Sequence, residues 1–171
     1  MEADIEKEFI EACEVHSDAL FRYCFFKISD REIAKDLVQE TFMKTWNYLT
    51  KGEKIGNLRA FFYRTLSNLI IDEYRKKKAV SLDNLQEKTG FDQGFDEEEI
   101  LEDKIDAEKA LLLLHQIGED YKDIIVMRYV QELSIKEIAE IINESENTVS
   151  VKIHRGLKKV KEIFKDKKKY E

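Results

Sequence analysis

The sequence predicts an all-α protein: two small helical domains joined by an acidic linker, the C-terminal one a helix-turn-helix. Three observations lead there. The chain has no proline and only six glycines in 171 residues, so little except caps and turns can stop a helix. Apolar residues recur at helical spacing in both halves. Between the halves, from Asp83 to Asp106, ten acids face only Lys88 and Lys104, a local balance of −8 within a net charge of −7.

The first helical stretch spans about Ile5 to Ile28, with Phe9, Ile10, Cys13, Leu20, Tyr23, Cys24 and Phe26 as its apolar residues and a candidate break at His16, Ser17 and Asp18. Ser29 and Glu32 fit a capping box that opens a second helix from about Asp30 to Thr50. Its stripe is Ile33, Leu37, Val38, Phe42, Trp46 and Leu49, and its other face shows Asp36, Gln39, Glu40, Met43 and Lys44. Two glycines break the period in Lys51 to Asn57, a loop of common length. Asn57 can cap a third helix that runs to about Lys78. Leu58, Phe61, Phe62, Thr65, Leu66, Leu69, Ile70 and Tyr74 form its expected core stripe. Arg59, Tyr63, Arg64, Ser67, Asn68, Ile71 and Arg75 are left for another surface, a basic face with an aromatic and an amide suited to phosphates and unpaired bases.

From Ala79 to about Lys104 the chain turns polar and acidic, a linker whose few apolar points are Phe91, Phe95, Ile100 and Leu101. The second domain is expected from Ile105. Ala107, Ala110, Leu111, Leu114 and Ile117 mark one helix, and Tyr121, Ile124, Ile125, Arg128 and Tyr129 a second. Ser134 and Glu137 make another capping box, before a helix with Ile138, Ala139, Ile141 and Ile142. Asn143 and Glu144 interrupt it, and Ser145 caps a last helix whose inner stripe is Val149, Ile153, Leu157 and Val160. The outer face carries Asn147, Val151, His154, Arg155 and Lys158 and, apart from Val151, is polar and basic. A short packed helix supporting a second helix with a polar, basic outer face is the layout of a helix-turn-helix, which sets its second helix in the major groove.

Charge is distributed rather than absent. Outside the acidic block the chain is close to neutral, with +4 over Arg59 to Lys78 and +5 over Glu146 to Glu171, so two basic segments flank an acidic one. Cys13 and Cys24 are too few for a metal site or a disulfide framework and read as buried thiols of a reducing cytoplasm. The acidic N-terminus lacks the apolar core of a signal peptide, and no apolar run reaches membrane-spanning length, so a cytoplasmic protein without membrane insertion is expected.

Three segments, Asp30 to Trp46, Leu58 to Arg75 and Gln131 to Lys161, resemble in order the polymerase-binding segment, the promoter-opening segment and the C-terminal helix-turn-helix of bacterial sigma factors of the extracytoplasmic-function (ECF) group. The resemblance covers nearly the whole chain. It implies a region 2-like domain over 1–78, a linker over 79–104 and a region 4-like domain over 105–171. The function it implies is initiation: directing core RNA polymerase to promoters, with no catalysis and no cofactor. By similarity, Asp36, Leu37, Gln39, Glu40 and Phe42 meet the clamp helices of the polymerase's largest subunit, and the flap is a further expected polymerase contact. Arg64, Asn68, Ile71 and Arg75 line the minus-ten surface, and the loop from Lys51 to Asn57 accepts a flipped-out base. Asn147, Ser150, Val151, His154, Arg155 and Lys158 face the minus-thirty-five element. The acidic linker threads the polymerase cleft, and an anti-sigma factor is an expected partner. The chain departs from the family pattern at Ile117-Gly118, where Leu-Pro is usual, at Ser67 and Ser150, where a basic residue is usual, and at Val151, where a small polar one is.

Two other readings are compatible with parts of the chain. A two-domain regulator that senses or dimerises through its first half explains the helix-turn-helix but not Asp36 to Trp46. A small helical enzyme would need His16, His115 or His154 to join nearby acids, and the sequence has no Glu-x-x-His pair, phosphate-binding glycine loop or nucleophile arrangement.

Overall fold

The computed structural model describes residues 2–83 and 114–168, and all regular structure in them is helical. The expected linker beyond Asp83, with Phe91, Phe95, Ile100 and Leu101, and the expected start of the second domain, with Ala107, Ala110 and Leu111, lie outside the described residues. The chain divides into two compact units, each described by itself.

In the first unit α1 (Glu2–Ile28), α2 (Arg31–Thr50) and α3 (Leu58–Asp83) pack pairwise on one another. α1 passes through His16, Ser17 and Asp18 without the expected break. The Ser17 hydroxyl donates to the Glu14 carbonyl at 3.5 Å without interrupting the helix, and the His16 ring lies 6.3 Å from that of Phe62. The α1–α2 junction also differs from expectation. Ser29 takes a left-handed conformation (φ 56°) and ends α1 through its amide bond to the Phe25 carbonyl. The cap of α2 is therefore Asp30, whose carboxylate accepts from the Ile33 amide at 3.0 Å, and Glu32 pairs with Lys35 instead. Asn57 caps α3 as expected, accepting from the Ala60 amide at 2.9 Å, and α3 runs past Lys78 to Asp83.

Phe62 sits at the centre of this unit, fully buried, with the rings of Phe42 and Phe9 5.1 and 6.2 Å away. Leu20, Tyr23, Cys24, Leu66 and Ile70 are buried with it, whereas Ile10, expected inside, is about half exposed. Thr41 and Thr45 are fully buried on α2, and each hydroxyl donates to the carbonyl four residues earlier at 2.8 Å, which satisfies it locally.

Two tyrosines of α3 exchange the places the periodicity assigns them. Tyr63, expected outside, is buried edge-on to Tyr23 with centroids 5.3 Å apart. Tyr74, expected in the core, is 48% exposed and its hydroxyl donates to the Lys27 carbonyl. For Tyr74 the cause is length. α1 ends at Ile28, so α3 outlasts its partner just where Tyr74 arrives, and the ring covers the end of α1 instead of entering a core.

Further along the chain a helical turn at 114–116 leads to α4 (Glu119–Ile125), which Gly118 opens at φ 94° without a side-chain cap. A π-helical turn, Val126–Val130, follows and closes through the Gln131 amide on the Val126 carbonyl at 3.0 Å. It buries Val126 and Met127 and leaves Tyr129 and Val130 exposed. The Arg128 guanidinium donates to the Leu133 carbonyl at 2.9 Å and fixes the turn before α5 (Ile135–Ile142). The capping box of α5 is present in both directions, Glu137 amide to Ser134 hydroxyl and Ser134 amide to Glu137 carboxylate. α6 (Glu146–Lys168) packs on α4 and buries Val149 and Ile153.

Candidate functional site

Three exposed faces collect the residues singled out by sequence. On α2, Asp36, Gln39, Glu40, Met43 and Lys44 are all exposed and stand at i, i+3, i+4, i+7 and i+8, one continuous strip. Leu37 does not belong to it. It is buried, because its position falls on the stripe with Ala34, Val38 and Thr41. Phe42 is half-buried, its ring 5.1 Å from that of Phe62, so Leu37 lies behind the strip and Phe42 at its edge. Met43, 66% exposed, is the strip's apolar residue. The signal for it was an apolar residue one heptad after Asp36, on an otherwise polar face.

On α3, Arg64, Asn68, Ile71 and Arg75 are exposed at i, i+4, i+7 and i+11. Arg75 shares a 3.5 Å ion pair with Asp72, both well exposed, an association weak enough to leave Arg75 available to an anion. With Tyr63 turned inward the face has no aromatic of its own and offers cations, an amide and one aliphatic side chain. Ser67, on its flank, shares a 3.2 Å hydrogen bond with the Tyr23 hydroxyl. The loop preceding α3 is open. Gly52 adopts φ 82° with nothing within 4 Å of where a side chain would start, and Lys51 and Asn57 are both exposed. The Asn57 carboxamide oxygen is engaged as the α3 cap, so this residue anchors the end of the loop.

The third face belongs to α6. Asn143 adopts φ 55° after the last residue of α5, the left-handed stop that an asparagine tolerates. Ser145 then caps α6, accepting from the Thr148 amide at 3.1 Å. Three residues, Asn143 to Ser145, thus turn the chain from α5 into α6. Asn147, Ser150, Val151, His154, Arg155 and Lys158 are all exposed on one side, while Val149 and Ile153 are buried on the other. The Ser150 hydroxyl donates to the Glu146 carbonyl at 2.9 Å. Cations and amide in this arrangement can grip phosphates and read base edges from a helix lying in the major groove.

Two family models match the chain in this order: Sigma-70 region 2 over residues 13–80 and Sigma-70 region 4 over residues 107–160. The chain is a sigma factor of the ECF group. Curated relatives agree. The ECF RNA polymerase sigma factor SigW of Bacillus subtilis is 27% identical over 169 residues, covering 92% of this chain and 89% of SigW. The RNA polymerase sigma factor SigV of the same organism is 29% identical over 143 residues, covering 84% of this chain and 82% of SigV. Among solved structures, the sigma factor RpoE of Bartonella quintana, crystallised with the anti-sigma factor NepR, has the same fold, with a TM-score of 0.71 and 21% identity over 93% of this chain and 98% of RpoE. CnrH, solved with the cytosolic domain of CnrY, superposes with a TM-score of 0.68 and 19% identity over 94% of this chain and 90% of CnrH. As a sigma factor the protein binds core RNA polymerase and directs promoter-specific initiation. The reading as a regulator that is not a polymerase subunit is not favoured. Among the described residues no helix is long and apolar enough to cross a membrane.

Proposed function

We propose how this sigma factor divides the work among its three faces. The α2 strip of Asp36, Gln39 and Glu40, with Met43 between charged neighbours, docks on the clamp helices of the largest polymerase subunit, with Leu37 behind the strip and Phe42 at its edge. Arg64, Asn68, Ile71 and Arg75 hold the minus-ten strand after it separates, and the open loop from Lys51 to Asn57 receives a flipped base. Asn147, Val151, His154, Arg155 and Lys158 meet the minus-thirty-five element as intact duplex, with Ser150 beside them, and the 105–171 domain docks on the flap. Melted strand and duplex demand different chemistry, which is why one protein carries two unlike DNA faces. The acidic linker threads the cleft and opposes nonspecific DNA binding by the free protein. The factor works in the cytoplasm without catalysis of its own, and an anti-sigma factor regulates it, as the solved complex of RpoE with NepR suggests.

The observation that carries this reading is the α2 strip, five exposed side chains (Asp36, Gln39, Glu40, Met43 and Lys44) on one continuous helix face within the segment matched by Sigma-70 region 2. Affinity for core polymerase tests it. Replacing Asp36 and Gln39 together by alanine should abolish co-purification with core polymerase while leaving helicity and thermal unfolding unchanged, since both side chains are exposed. Undiminished co-purification would reject the assignment.

A further inference from the structure

Val151 is an oddity on the α6 surface. Its neighbours one turn away on either side are Asn147 and Arg155, with His154 beside it, so it lies in the middle of the polar face at 39% exposure. The core has no use for it, because Val149 and Ile153 fill the inner stripe of the same turns. It is also the sixth residue of a helix that begins at Glu146, within the N-terminal turns that a recognition helix presents to base edges. The Ser150 hydroxyl beside it already donates to the Glu146 carbonyl, so it has no proton left for a base. A β-branched side chain is held near one rotamer in a helix, so it enters a contact with little further ordering.

In the major groove the apolar group available to such a side chain is the C5-methyl of thymine. We infer that Val151 is a specificity-determining residue that reads a thymine methyl in the minus-thirty-five element. Asn147 and Arg155 flank that contact with hydrogen bonds to neighbouring base edges or phosphates. This rests on the proposed role of the α6 face in the minus-thirty-five contact.

The test uses the full chain assembled with core polymerase on a promoter at which it initiates, with each thymine of the minus-thirty-five element, on either strand, replaced singly by deoxyuridine. The wild-type holoenzyme should lose about three- to fivefold in binding at one thymine or two adjacent ones, the size expected for one buried methyl group. Val151→Ala should bind the thymine promoter more weakly by a similar factor and no longer distinguish thymine from uracil. Two results overturn the inference: indifference of the wild type to every uracil substitution, or a uracil effect of the same size in Val151→Ala. A holoenzyme that initiates at defined sites yet ignores the minus-thirty-five sequence would instead remove the α6 assignment itself, and this inference with it.

Discussion

The Lys152 ammonium lies 2.6 Å from the Glu144 carboxylate, so the first basic residue of the recognition helix is turned back onto the turn that precedes it. Both side chains are about two-thirds covered, at 29% and 33% exposure. The pair joins the turn to α6, and Lys152 is thereby separated from Arg155 and Lys158, which stand out toward solvent. Lysines on the same helix should then behave differently. Lys158→Ala should lower the salt dependence of promoter binding by about one unit of slope, as loss of a phosphate contact does. Lys152→Ala should leave that slope unchanged and reduce stability by at most about 1 kcal/mol. Binding isotherms at several salt concentrations separate the two.

The exchanged tyrosines give opposite expectations for substitutions eleven residues apart on α3. Tyr63→Ala removes a fully buried ring from the α1–α3 contact and should cost about 3–5 kcal/mol. Tyr74→Phe removes only the hydroxyl that reaches the Lys27 carbonyl at the surface, and about 0.5–1.5 kcal/mol is expected. Urea unfolding of the two variants measures both.

Gly118 explains one departure from the family pattern. Its φ of 94° is accessible to glycine but closed to proline, whose ring fixes φ near −65°. The nearest atom to an added Cβ is Tyr121 Cδ2 at 4.0 Å, so space is not the obstacle and backbone strain is. Gly118→Ala should destabilise the second unit by about 1–2 kcal/mol, read from its thermal unfolding. An unchanged midpoint would show that α4 can open from another backbone conformation.

Of the two cysteines expected to be buried, Cys24 is and Cys13 is only partly so. Burial raises the Cys24 thiol to about 12, with Lys27 opposing, and raises Cys13 to about 11. Because the folded state keeps these protons when the unfolded chain loses them, stability should fall as pH rises from about 9, the ordinary thiol value, toward 12. Below pH 9 both states are protonated and the thiols add no pH dependence. Maleimide labelling at neutral pH should leave Cys24 unmodified until denaturant is added, and rapid labelling of the folded protein would contradict its burial.

Much of this was legible in the sequence because it depends on local chemistry. The caps at Asn57, Ser134 and Ser145, the inner stripe of α6 and the outward strip on α2 follow from hydrogen-bonding side chains and a period of 3.6. What depends on neighbours was not. Which of Ser29 and Asp30 caps α2 turns on the left-handed exit of α1, Tyr63 is buried because Tyr23 faces it, and Tyr74 is exposed because α1 has stopped. Leu37 sits beside the site in sequence and faces away from it in space, a difference that motif matching ignores and helical geometry decides. Gly156 also depends on a neighbour: a Cβ there would lie 3.2 Å from Ile125 Cγ1, so the glycine permits the close approach of α4 to α6.

The central claim is that one chain brings core polymerase to defined promoters. The most direct measurement adds the purified protein to core RNA polymerase with fragmented genomic DNA and maps the 5′ ends of the transcripts. Discrete new start sites are expected, sharing an upstream and a downstream element at fixed spacing. Transcripts indistinguishable from those of core polymerase alone would contradict the account.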